Sequence, residues 1–164
     1  SFCSRCHVTL LLFRIKIGVW YCMTPDPSPG QRAKIFVLDD SPTFLAYARN
    51  LLESEGYSVS TFDSPLGITR EVIRQQPDLV IVDVNMPSIT GDKVCQLVRS
   101  ASYARSVVIL LHSSMPEADL HDLAQRCGAD GYVPKSRDSK RLVETVIRHL
   151  AGRLRFLSPR VSKR

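Results

Sequence analysis

From residue 34 onward, short apolar runs alternate with amphipathic stretches. Lys34 to Leu38 (KIFVL) is too short for a helix and almost wholly apolar and β-branched, the pattern of a strand buried on both faces. Ser41-Pro42 then supplies an N-cap and a first-turn proline, and Gly56 a helix stop. Between them Phe44, Leu45, Ala48, Leu51 and Leu52 fall on one stripe. Tyr57 to Phe62 predicts a second strand, and Ser64-Pro65 repeats the cap before Leu66, Ile68, Val72 and Ile73. Leu79 to Val82 is the most continuously apolar run and is expected at the centre of the sheet. A helix over about 91–102 turns Val94, Cys95, Leu97 and Val98 inward, and Val107 to Leu111 is strand four. Leu120, Leu123, Ala124 and Cys127 recur at helical spacing up to Gly128. Tyr132-Val133 makes a short fifth strand, and Leu142, Val143, Val146, Ile147 and Leu150 form the stripe of a last helix.

Five strands alternating with five helices predict an α/β protein: a doubly wound, five-stranded parallel sheet in a three-layer sandwich, with right-handed crossovers. Ligands of such sheets bind at the carboxyl ends of the strands. Asp39, Asp40, Asp83, Ser113 and Lys135 all follow or end an apolar run at that edge. Carboxylates beside a buried core are costly unless a counter-ion gathers them. Three acids from two strands suit a hard divalent cation such as Mg²⁺, whose shell is usually completed by water and phosphate oxygens. A lysine at the same edge reads as a phosphate clamp.

Length and charge refine this picture. At 164 residues and 44% hydrophobic content, the chain suffices for one modest domain. Of the formal +6, residues 1–30 carry +2 and residues 151–164 carry +5, which leaves −1 for 31–150. The near-neutral body gives no sign of a nucleic-acid-binding face, and the basic residues 151–164 read as a solvated tail. In residues 1–22, Arg14 and Lys16 interrupt the apolar stretch before it could span a membrane, and no small-residue cleavage site follows. Residues 1–30 are therefore expected to be a disordered or misassigned extension, with Met23 a candidate start before the proline-rich TPDPSPGQR. Cys3, Cys6 and His7 fit C-x-x-C-H, a haem-attachment pattern, but no axial partner or helical setting accompanies it. Cys22 has the wrong spacing to complete a zinc site. Cys95 and Cys127 fall at inward helical positions, as reduced core residues of a cytosolic protein.

Four motifs in order, VLDDSP, VIVDVNMPSITG, LLHSS and GADGYVPK, each stand at a strand exit. Over roughly Lys34 to Leu150 the chain resembles the receiver domain of two-component response regulators, which have a flavodoxin-like (βα)5 fold. That resemblance implies a phosphorylation-dependent switch. Asp83 would be the nucleophile, taking a phosphoryl group from a histidine kinase or histidine phosphotransfer protein. Asp40 and Asp83 would bind Mg²⁺ directly, Asp39 through water and Asn85 through its backbone carbonyl. Lys135 and Ser113 would each hold a phosphoryl oxygen, while Ser113 and Tyr132 would move inward as the switch. The cognate kinase and downstream target are not legible. With only AGRLRFLSPRVSKR after Leu150, the expectation is a stand-alone cytoplasmic receiver that acts by binding a protein partner, not a membrane or nucleic acid.

Each residue has a plainer reading. Asp40 could cap a helix, although Ser41 already does so; Lys135 could be a solvated charge and Ser113 ordinary loop polarity. Asp83 has no capping role, because Pro87 lies in the stretch that follows. His112 is expected to be packed or exposed, not catalytic, and Tyr132 could serve core packing alone. Two positions depart from the family pattern: Ser136 stands where proline is usual, and His112 where a small or apolar residue is usual. Two rival functions remain: a receiver-like scaffold that works without phosphorylation, and an aspartyl-nucleophile phosphatase. The phosphatase needs a second acid two residues past the nucleophile, and that position is Asn85.

Overall fold

The computed structural model describes residues 33–101, 106–136 and 139–157. All belong to one compact unit, Ala33–Arg164. The readings for Met23, Cys3, Cys6, His7 and Cys22 lie outside the described residues, as does 158–164 of the basic tail.

The elements run β1 (Lys34–Leu38), α1 (Pro42–Ser54), β2 (Ser58–Phe62), α2 (Ile68–Gln75), β3 (Leu79–Asp83), α3 (Gly91–Ser100), β4 (Val108–Ser113), α4 (Glu117–Cys127), β5 (Gly131–Pro134) and α5 (Ser139–Leu157). All strands pair in parallel, in the order β2-β1-β3-β4-β5. β3 is central, as its unbroken apolar run predicted. The chain is thus the doubly wound five-stranded sheet expected from the alternation, with the flavodoxin-like (βα)5 topology.

Strand side chains alternate between the two faces, and both faces are covered. Phe36, Leu38, Val80, Val82, Ile109 and Leu111 meet α2, α3 and α4, while Ile35, Val37, Leu79, Ile81, Val108 and Leu110 meet α1 and α5. Burying a side chain of this size contributes about 1.5–3 kcal/mol relative to exposure, so the two half-cores dominate the stability that positions the strand exits. Among the described residues, no helix is long and apolar enough to cross a membrane.

Several local expectations needed correction. Ser64 does not cap α2: its Oγ accepts the Leu66 amide in a turn, Gly67 adopts a left-handed conformation with φ of 80°, and the helix begins at Ile68. Leu66 is consequently 93% exposed. Ile73, Leu97 and Ile147 also face solvent, because the sheet covers a narrower arc of each helix than the apolar stripe suggested. The last helix continues past Leu150 to Leu157, so the segment expected as a tail is helical at its start.

Candidate functional site

Backbone hydrogen bonds bring the strand exits to one edge. Asp39 N donates to Phe62 O (3.1 Å), Val84 N to His112 O (3.0 Å) and Lys135 N to Ser113 O (2.7 Å). Ser41 caps α1 by accepting the Phe44 amide, and its own N–H donates to Asp39 Oδ1 at 2.9 Å. The capping turn therefore orients a buried acid.

Asp39, Asp40 and Asp83 each offer a carboxylate oxygen, all within 4.8 Å of one another. Asp39 and Asp83 are buried and Asp40 is exposed, so the cluster opens to solvent on one side. Lys135 Nζ lies 2.9 Å from Asp39 Oδ2 and 3.1 Å from Asp83 Oδ1. Only the Asp39 contact has hydrogen-bond geometry; Asp83 Oδ1 is buried and accepts no hydrogen bond. The Lys135 ammonium thus pairs with two of the three clustered acids. A buried carboxylate oxygen with no hydrogen-bond donor, in a group of three, fits a divalent cation by donor type and spacing.

Burial alone would raise the Asp39 pKa. The nearby His112 ring, the Lys135 hydrogen bond and charge, and the Ser41 amide outweigh that and hold it below the ordinary carboxylate range. His112 Nδ1 is 3.9 Å from Asp39 Oδ2, beyond hydrogen-bonding reach, so it acts through space. Burial would lower Lys135, but its hydrogen bond to Asp39 and the charges of Asp39 and Asp83 raise it. Because Asp39 is depressed in the folded state, the unfolded chain binds more protons in the acid range, and stability there rises with pH. We expect the Asp39 contribution to be present at neutral pH and to fade from about pH 5 downward. An Asp39→Asn variant should show a shallower acid limb in urea midpoints measured against pH. The limb should not be flat, since Arg74 and Arg141 also hold Glu71 and Glu117 low. An unchanged slope would contradict the assignment.

The switch candidates occupy different surroundings. Ser113 Oγ accepts from Asn85 Nδ2 (3.1 Å) and from the Met115 amide (3.3 Å). Asn85 is exposed beside the acids, and its side chain reaches toward Ser113. Tyr132 is half-buried; its hydroxyl donates to Glu117 at 3.4 Å and its ring meets His121 edge-on. Sequence reasoning missed the role of Phe44. Its ring stacks on buried His112 at 4.4 Å and lies 5.6 Å beneath Lys135 Nζ, walling the site from the α1 side. The only signal was its place in the α1 stripe, which also fits core packing.

Comparison with known proteins accords with this geometry. The model of the family described as "Response regulator receiver domain" matches residues 35–147. Protein PilH of Pseudomonas aeruginosa is 30% identical over 121 residues, 73% of this chain and 99% of its own length. Protein RcaC of Microchaete diplosiphon is 30% identical over 117 residues, 71% of this chain, although the match spans only 18% of its length. Among solved structures, chemotaxis protein CheY4 of Vibrio cholerae superposes with a TM-score of 0.68 at 26% identity, covering 72% of this chain and 98% of its own. The chain belongs to the response regulator receiver domain family, and its clustered acidic triad is of the kind that forms the phosphoacceptor site of two-component regulators.

Proposed function

We propose that Asp83 accepts a phosphoryl group from a phosphohistidine, on a histidine kinase or a histidine phosphotransfer protein. The phosphorylated domain then changes its binding to a downstream protein in the cytoplasm. The observation that carries this reading is Asp83 Oδ1, buried, without a hydrogen-bond donor, 3.1 Å from Lys135 and grouped with two further acids. An Asp83 oxygen attacks phosphorus as the P–N bond to the donor imidazole breaks, and an acyl phosphate forms. Lys135 pairs with one phosphoryl oxygen and Ser113 with another. Asp39, Asp40, Asp83 and the Asn85 carbonyl would hold Mg²⁺, which supplies the positive charge that offsets repulsion between carboxylate and dianionic phosphoryl group. The chemistry is confined to the domain's own phosphorylation and dephosphorylation. The Asn85 amide is too weak an acid to protonate a leaving group, so turnover of small phosphoesters is disfavoured.

Intact-mass measurement tests this directly. With acetyl phosphate and Mg²⁺ the chain should gain about 80 Da, one PO₃ unit in place of a proton. Chelation of the metal should suppress the gain. No gain at saturating donor and metal would leave a phosphorylation-independent binding scaffold.

A further inference from the structure

Two thiols meet at the seam between α3 and α4, among the core side chains on the α2–α4 face of the sheet. Cys95 is fully buried in α3 and Cys127, at the last residue of α4, retains 5% exposure. Cys95 Sγ donates to Cys127 O at 3.4 Å, and Cys127 Sγ to Ala124 O at 3.6 Å. Neither thiol contributes to the acidic site. One turn further along α3, Arg99 ties the same end of α4 to its neighbours: Nε donates to Gly128 O at the α4 terminus (2.8 Å), Nη1 to Val107 O before β4 (2.7 Å) and Nη2 to the Asp130 carboxylate before β5. The Arg99 contacts hold the α4 terminus against α3, so the thiols face each other in a seam already fixed by other bonds.

We propose that Cys95 and Cys127 form a peroxide-responsive disulfide that ties α3 covalently to the C-terminal end of α4. Cys127 reacts first. The Cys95 thiol can turn its proton from the Cys127 carbonyl to the Cys127 sulfur. That hydrogen bond, with the Ala129 amide, outweighs burial and pulls the Cys127 thiol below its ordinary range. The same contact and burial push Cys95 up. The thiolate is the nucleophilic form of cysteine. It attacks one oxygen of hydrogen peroxide, the O–O bond breaks, hydroxide leaves, and Cys127 becomes a sulfenic acid. The Cys95 sulfur then attacks the Cys127 sulfur, the S–O bond breaks, and the departing hydroxide takes the Cys95 proton. In sum, two thiols and one peroxide give one disulfide and two waters, the two sulfurs having supplied two electrons.

The test uses the full chain with Cys3→Ser, Cys6→Ser and Cys22→Ser, so that only these two thiols remain. After treatment with hydrogen peroxide at a dose that oxidises free glutathione, the native protein should lose two hydrogens in intact mass. Peptide mapping should recover a Cys95–Cys127 cross-link that dithiothreitol removes. The oxidised form should also melt at a higher temperature, because the cross-link restricts the unfolded chain between residues 95 and 127. With Cys95→Ala added, dimedone should trap a sulfenic acid on Cys127. If both thiols stay reduced at that dose, or oxidation gives only cross-links between chains, the proposal is overturned. Because no phosphodonor is present, the result is independent of whether Asp83 is phosphorylated.

Discussion

Asp83→Asn is expected to reduce the phosphodonor-dependent mass gain to background while leaving the domain folded. The substitution keeps the side chain's shape but replaces the attacking carboxylate with a neutral, poorly nucleophilic amide that has one acceptor oxygen and one NH2 donor. Its effect on stability is the more discriminating part. In the unmodified protein three acids cluster, and Lys135 pairs with two of them. Like charges about 4 Å apart near a protein surface repel by about 4 kcal/mol at an effective dielectric constant of 20, before solvation and relaxation reduce the figure. Neutralising Asp83 removes part of that repulsion, and Lys135 keeps its 2.9 Å hydrogen bond to Asp39. Without divalent metal the variant should therefore melt no lower than the parent. With Mg²⁺ the parent should gain more, because ligand stabilisation grows with affinity and the variant has lost a carboxylate ligand. Continued phosphorylation of Asp83→Asn on any other residue would remove Asp83 from the centre of the mechanism.

Gly91→Ala should be the most damaging single-methyl change near the site. A Cβ there would overlap Asp83 O and stand 2.9 Å from both Asp83 C and Val84 Cα. All three are backbone atoms, so no rotamer change relieves the clash. Either the exit of β3 or the start of α3 must move, against the hydrogen bond from Gly91 N to Val84 O at 3.0 Å. We expect a loss of about 3 kcal/mol, at the upper end of overpacking costs, and a fall in melting temperature of roughly 10 °C. Phosphorylation should slow as well, since the displaced carbonyl belongs to Asp83 itself. Gly56→Ala is the control. At φ of 89° with nothing within 4 Å, it costs only backbone strain, about 1 kcal/mol. If calorimetry shows Gly91→Ala to be no worse than Gly56→Ala, the close approach of α3 to β3 is not a structural constraint.

The hydrophobic pattern alone determined the strand–helix alternation, the central place of β3 and the acids at the strand exits. Those features depend on spacing within a few residues, and a parallel sheet covered on both faces leaves little choice of strand composition. Only the tertiary structure decided which groups touch. Lys135 reaches Asp39 across 96 positions of sequence because strand order sets β1, β3 and β4 between the β2 edge and β5. The stack of Phe44 on His112 and the meeting of Cys95 with Cys127 likewise join separate elements through packing. The same packing left Leu97, Ile73 and Ile147 in solvent, because periodicity marks the apolar arc of a helix but not how much of it the neighbours cover. Side-chain type and local period are short-range properties, whereas the charge balance among Asp39, Asp83 and Lys135 exists only once the sheet has brought their strands to a common edge.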